Sequence, residues 1–231
     1  MPETLSPSVG WGVVHLFCKL TGDVDPDAIE TAVKEGTDDD QQVVSFSVLG
    51  HKADLGFMAL GPDWVRLRRL QAALDDAGLE IVDSYVSLTE ISEYAQDMPE
   101  EQRDIRLHPR LPPVGKPAFC FYPMSKRRGQ SDNWYALDHD ARKALMMDHG
   151  KSGRRFAGRI LQVITGSTGL DDYEWGVTLF GEHPDDLKDT VYTMRFDEAS
   201  AKFAEFGPFY AGIVDDINKV LSLVGARQPG S

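Results

Sequence analysis

The chain has 231 residues, with 24 Lys and Arg against 37 Asp and Glu, a formal charge of −13. That acidity excludes a broad nucleic-acid face, which needs basic residues to neutralise phosphates. No uninterrupted apolar run approaches the roughly 20 residues of a membrane span, and no charged-then-apolar leader opens the chain, so it reads as soluble and cytoplasmic.

In chain order, Trp11 to Lys19 is a short apolar run of strand character, followed by a helix over Asp25 to Glu35 with an Asp-Pro start. Val43 to Leu49 and Leu55 to Leu60 flank Gly-His-Lys-Ala-Asp and read as a hairpin. Leu67, Leu70 and Leu74 give helical spacing over Trp64 to Ala77, and Leu79 to Leu88 returns to strand. Residues 98 to 117 carry charge and five prolines (Pro99, Pro109, Pro112, Pro113, Pro117) and read as a linker between halves at 8–97 and 118–231. Then come a strand over Ala118 to Pro123, a helix over Asp138 to Phe156, and a second hairpin from Arg159 to Thr165 and Glu174 to Phe180. Asp185 to Phe206 is helical, as one or two helices, and Phe209 to Val214 closes the second half. Each half reads strand, helix, strand, strand, helix, strand, the order of a ferredoxin-like unit, so the fold class is α+β with two such units in tandem. Each hairpin also sets an acid three residues before an aromatic, Asp54 with Phe57 and Asp172 with Trp175.

Charge is not evenly spread. Between Lys116 and Arg159 stand ten Lys and Arg against four acids, a net +6, leaving −19 for the rest. Such an island suits a polyanion, because a charge-lined cleft focuses field even on an acidic protein. Within it, alternation along Ala118 to Lys126 puts Cys120, Tyr122, Met124 and Lys126 on one face, with Phe119 and Phe121 on the other. A phenol, a thioether and an ammonium make a poor core, although Tyr122 is equally readable as a core aromatic with a paired hydroxyl. Lys126 is costly to bury unless it meets an anion. Cys18 and Cys120 lie far apart, in no ligand spacing, and read as reduced core residues.

On the following helix the apolar stripe Ala141, Leu145, His149, Phe156 turns His149 inward. An inward His is more often a satisfied core residue than a ligand, but Gly150 and Gly153 clear space for a flat macrocycle, and haem iron is commonly held by one proximal His. Gln162 sits between Ile160 and Ile164 on a strand face, as a buried amide that either makes a structural hydrogen bond or donates to a ligand. Arg195 either pairs with Asp197 or Glu198, or binds a ligand carboxylate together with the Ser200 hydroxyl. Arg106 in the linker is open to the same two readings. Polyanion, phenol and imidazole together point towards an iron porphyrin bearing carboxylates. There is no Gly-x-Ser-x-Gly, no phosphate loop and no His-Glu-x-x-His, so hydrolase chemistry has no support.

The blocks Cys120-Phe121-Tyr122-Pro123-Met124-Ser125-Lys126-Arg127-Arg128, Asp132-Asn133-Trp134-Tyr135, Asp148-His149-Gly150, Leu170 to Phe180 and Met194 to Ser200 closely resemble coproheme decarboxylases, within the chlorite dismutase-like superfamily. The likeness is strong from about Arg106 to Gly212 and rests mainly on Gly50 to Leu55 before that. It implies a dimeric α+β barrel type of fold, a homo-oligomer, usually a pentamer, and a porphyrin in the second half. By the same resemblance, His149 is the proximal iron ligand and Tyr122 the tyrosyl radical that abstracts hydrogen from a propionate. Lys126 assists the decarboxylation, and Met124, Arg106, Arg195 and Ser200 hold propionates, with Arg110 the alternative to Arg106 because two extra residues lie between Arg106 and Tyr122. Gln162 takes the distal position, where true chlorite dismutases carry an arginine. The implied reaction turns Fe-coproporphyrin III (coproheme) into haem b at the expense of hydrogen peroxide, with coproporphyrin ferrochelatase a partner. A non-catalytic haem carrier, and a chlorite-degrading or peroxidase activity, are the competing readings.

Overall fold

The computed structural model describes residues 3–226. The first half comprises β1 (Gly12–Leu20), α1 (Pro26–Glu35), β2 (Gln42–Val48), β3 (Leu55–Gly61), α2 (Trp64–Asp76) and β4 (Leu79–Thr89). The second comprises β5 (Ala118–Lys126), α4 (His139–Arg154), β6 (Ile160–Gly166), β7 (Trp175–Gly181), α5 (Pro184–Met194), α6 (Glu198–Phe203), β8 (Ala204–Phe206), β9 (Tyr210–Val214) and α7 (Ile217–Leu223). Between them, α3 (Glu100–Leu107) occupies the segment expected to be a bare linker. Its prolines flank the helix rather than interrupt it, and Pro99 is the N-cap.

The helix boundaries follow local chemistry. Asp25 caps α1 by accepting from the amides of Asp27 and Ala28, with Pro26 in the first turn, and Asp63 does the same for α2 through Val65. The predicted helix ending at Phe206 instead stops at Phe203, and Ala204–Phe206 becomes β8, paired to the end of β5 at Met124 to Lys126. For the same reason β5 runs three residues past Pro123.

Strand pairing closes the sheet on itself. Its order is β7-β6-β4-β1-β3-β2-β9-β5, with β5 returning to β7 and β8 attached beside β5. Each half has ferredoxin-like order, and the halves join at two seams, β4 to β6 (Leu88↔Gly166) and β2 to β9 (Ser47↔Ile213). The tandem units therefore form one barrel, and closure removes the sheet edges that each half alone would expose. The lumen is a shared core to which the first half contributes Val13, Phe17, Phe46 and Met58 and the second Phe119, Phe121, Phe180 and Tyr210. Phe46 stacks on Phe119 across the seam at 3.9 Å between ring centroids. β1 and β3 are buried along almost their whole length because helices cover the outside while this core fills the inside.

The hairpin signature divides differently from expectation. Asp54 Oδ2 accepts from the Leu20 amide, but in the second half it is Asp171, not Asp172, whose Oδ2 reaches the Val86 amide. Cys18 and Cys120 are both buried and free, as expected.

Candidate functional site

The two halves share a topology but not a packing. α1 buries Ile29, Ala32 and Val33 against its sheet, whereas its counterpart α4, 16 residues long, buries no residue. α4 packs on α5 and α6 instead of on the strands. The outer face of β6 is consequently uncovered at Gln162 and Ile164, the latter at 45% exposure, while Ile160 at its start packs against the Leu187 cluster. The expectation of a buried Gln162 amide is thus corrected: the alternation along the strand holds, but Gln162 is exposed. The apolar residues of α4, Leu145 and Met146, pack instead on Trp134, Ala199 and Phe203, which leaves the helix on a different support from the sheet.

Around α4 the expected residues assemble in part. His149 Nδ1 lies 2.9 Å from Asp197 Oδ2, and Asp197 is nearly buried, with 6% side-chain exposure. A carboxylate only accepts, so Nδ1 donates to it, and Nε2 makes no hydrogen bond among the described residues. Ser200 Oγ donates to the same Oδ2 at 3.2 Å and sits 3.3 Å from Nδ1, while its amide donates to Asp197 Oδ1. Asp197 is also the N-cap of α6, so the helix start fixes the carboxylate and the carboxylate fixes the imidazole. A carboxylate behind a histidine is the usual device for orienting a metal-binding imidazole. Beside His149, a Cβ at Gly150 would touch the Arg154 side chain and one at Gly153 that of Met194, each at 3.7 Å, an ordinary contact distance.

Lys126 stands on the other side of α6. It is 7% exposed, its Nζ donates to the Ala199 carbonyl at 2.8 Å, and it lies 4.6 Å from the centroid of the Trp134 ring. Burial pushes its pKa down to about 8, opposed by the charges of Asp197 and Glu174. Tyr122, on the same face of β5, is 7% exposed and lies against Phe209 (4.5 Å) and Phe206 (5.6 Å). Its phenol pKa is raised by burial, with no hydrogen bond to oppose the shift. Met124 is partly buried against the same cluster, which includes Cys120 and Val177.

The remaining cations stand apart. Arg195 is exposed beyond α5 and forms no ion pair among the described residues, because Asp197 is taken by His149. Arg106 is exposed on α3, and Arg110 donates to the Asp39 carbonyl, away from His149. Nor is the basic island a free cationic field: six of its ten cations (Lys116, Arg127, Arg128, Arg142, Lys151, Arg159) pair with acids, and all but the partner of Lys151 come from outside the segment. Sequence reasoning missed Asp197 as the partner of His149, Trp134 beneath Lys126, and the Phe206 and Phe209 flanks of Tyr122. Only Asp197 left a local signal, as an acid three residues before Ser200 at a helix start.

A closed barrel of two tandem ferredoxin-like units, with a histidine held by a carboxylate on its outer side, defines the class of tandem α+β barrel proteins. The chlorite dismutase family matches residues 26–214, and the chain belongs to that family. It is 39% identical to the coproheme decarboxylase of Staphylococcus carnosus, over 92% of this chain and 93% of that protein. A Natronomonas pharaonis protein named for haem binding is also 39% identical, over 98% of this chain but 43% of its own length, so this chain spans less than half of that relative. Among solved structures, a haem-binding protein from Thermus thermophilus superposes with a TM-score of 0.85 at 37% identity, covering 97% of this chain and 99% of that one. A chlorite dismutase from Candidatus Nitrospira defluvii superposes at 0.77 with 18% identity, over 94% and 96%, a likeness of fold.

Proposed function

We propose that the protein is a coproheme decarboxylase, converting two propionates of Fe-coproporphyrin III to vinyls with hydrogen peroxide as oxidant. The observation that carries the reading is His149 on α4, half-buried, with Nδ1 tied to Asp197 and Nε2 without a hydrogen bond among the described residues. The identity to the Staphylococcus enzyme across nearly the full length of both chains supports the substrate.

In this reading His149 Nε2 would hold the iron, with Asp197 keeping the ring's orientation and Ser200 steadying Asp197. The bound iron porphyrin, with peroxide, supplies the oxidising power. Tyr122 is the group that would take a hydrogen atom from a propionate at its phenol oxygen, its radical form sheltered by Phe206 and Phe209 from solvent quenching. Each turn balances as propionate, peroxide and one proton giving a vinyl, carbon dioxide and two waters. Lys126 can hand over the proton that turn requires, because burial leaves its ammonium more acidic than usual. Arg195 and Arg106, exposed and without an ion pair among the described residues, are the cations available to propionates; Met124 lies beside Tyr122, and Gln162 is exposed on the outer face of β6. Ser200 has a different part from the one the resemblance gives it, because its hydroxyl is engaged by Asp197. The reading carries with it a cytoplasmic homo-oligomer, a pentamer by resemblance, supplied by coproporphyrin ferrochelatase.

The test is mass spectrometry of the pigment after iron coproporphyrin III and peroxide are added to the protein. Two successive losses of the mass of formic acid are expected; an unchanged pigment on protein that has bound it would overturn the proposal. The names of the haem-binding relatives favour one second reading, a carrier that binds and does not convert, and the same unchanged pigment would support it.

A further inference from the structure

Across the barrel wall from Tyr122 stands a second phenol in a contrasting setting. β5 and β9 pair with Phe121 opposite Tyr210, so the next positions, Tyr122 and Phe209, face each other on the outer side while Tyr210 turns into the lumen. Inside, Tyr210 stacks on Phe17 at 3.7 Å and spans the barrel to donate a hydrogen bond from its hydroxyl to Asp83 Oδ2 of β4. Side chains on opposite faces of adjacent strands put the two phenol rings roughly 10–12 Å apart, given about 5 Å from a sheet to each flanking layer. That is a short single step for an electron.

Their surroundings set the direction of such a step. Oxidising a neutral phenol requires its proton to leave with the electron, and a carboxylate already bonded to the hydroxyl takes that proton without rearrangement. Tyr210 has such an acceptor in Asp83; Tyr122 has none among the described residues. Lys52 opposes the effect weakly, with Nζ 5.4 Å from the Tyr210 centroid, but this ammonium is exposed, is bonded to the Phe209 carbonyl, and faces a phenoxyl that is neutral once Asp83 has the proton.

We propose that Tyr210 with Asp83 is a second redox site that drains the oxidising equivalent from Tyr122 when no propionate is available to consume it. The inference rests on the reading of Tyr122 as an oxidisable group given above. In the step, Tyr210 passes one electron to the Tyr122 phenoxyl and its phenolic proton to Asp83 Oδ2, while the Tyr122 oxygen takes one proton from the Lys126 ammonium, which solvent reprotonates, and becomes a phenol again. A one-electron reductant of the ascorbate or thiol class then returns the electron to Tyr210, and Asp83 returns the proton. The residues thus protect the site from self-oxidation during turnover without substrate.

The experiment is freeze-quench high-field electron paramagnetic resonance on the full chain loaded with haem b, which has no convertible propionate, mixed with peroxide in ordinary and heavy water. The wild type is expected to show a phenoxyl with coupling to an exchangeable deuteron, the signature of a hydrogen-bonded radical. Tyr210→Phe, which keeps the stack on Phe17, should replace it with an uncoupled signal, and Asp83→Asn should reduce the coupled signal at least tenfold. Tyr122→Phe should slow its appearance at least tenfold. An uncoupled wild-type signal that ignores Tyr210→Phe sinks the relay and leaves the reading of Tyr122 intact. Absence of any phenoxyl, with the pigment bound and peroxide consumed, overturns both.

Discussion

Asp197 and His149 are joined through Oδ2 and Nδ1 at 2.9 Å, and both ends of that contact are fixed by the chain itself: one residue caps α6, the other rides on α4. The imidazole is therefore presented before any ligand arrives. Replacing Asp197 with Ala removes the group that selects the tautomer and holds the ring. Loss of such an outer partner typically costs about 10–100-fold in metal affinity, and that weakening is the expected outcome of a spectrophotometric titration with ferric porphyrin. Unchanged affinity would mean that His149 is not the ligand.

Tyr122→Phe separates enzyme from carrier. The phenol makes no hydrogen bond among the described residues, so its removal leaves none of them stranded, and the phenylalanine ring keeps the contacts with Phe206 and Phe209. Thermal unfolding and pigment titration should match wild type while formation of haem b stops. Continued conversion at the wild-type rate would remove Tyr122 from the mechanism.

Lys126 gives a pH signature. Its folded pKa, about 8, lies below the ordinary value of 10.5, so between those limits the unfolded chain binds more protons than the folded one. Stability then rises with pH across that window, and the burial cost is present in full below it. Relative to Lys126→Met, wild type should gain up to about 3 kcal/mol between pH 8 and 10.5, at 1.36 kcal/mol per pKa unit. Parallel denaturant midpoints for the two proteins across that range would contradict the assignment. Conversion that depends on the ammonium should fall as pH rises through 8.

The seam offers a test of closure. A Cβ at Gly212 would lie 1.9 Å from the Ser47 carbonyl oxygen, a backbone atom in the paired strand. Gly212→Ala must push β9 from β2, and overpacking of this kind costs about 1–3 kcal/mol. A lowered denaturant midpoint is expected, with both halves losing structure together because they share one lumen.

Much of this architecture could be read from the residues. Alternation in Ala118 to Lys126 separates Phe119 and Phe121 in the lumen from Cys120 and Tyr122 outside, because a strand walled on both faces still keeps its period of two. The repeated element order was visible for a similar reason: local periodicity specifies each element. What local pattern cannot carry is the height of α4 above the sheet, which made exposed Gln162 look buried. Nor does it show which acid a given cation meets; Arg195 and Arg159 look alike in the chain, yet only Arg159 finds one, in Asp186. Asp197 was legible as a cap but not as the neighbour of a histidine 48 positions away, since that contact exists only after α4 and α6 dock.

The helix that carries His149 has a further thermodynamic meaning. Segments with little buried apolar surface open at low free energy, ahead of the global transition. α4 should therefore exchange its amide hydrogens sooner than α1, its topological twin, although both helices are capped by aspartate. A ligand held by His149 adds contacts to α4, so occupancy and the rigidity of α4 become one equilibrium, with protection of residues 139–154 from exchange as its gauge.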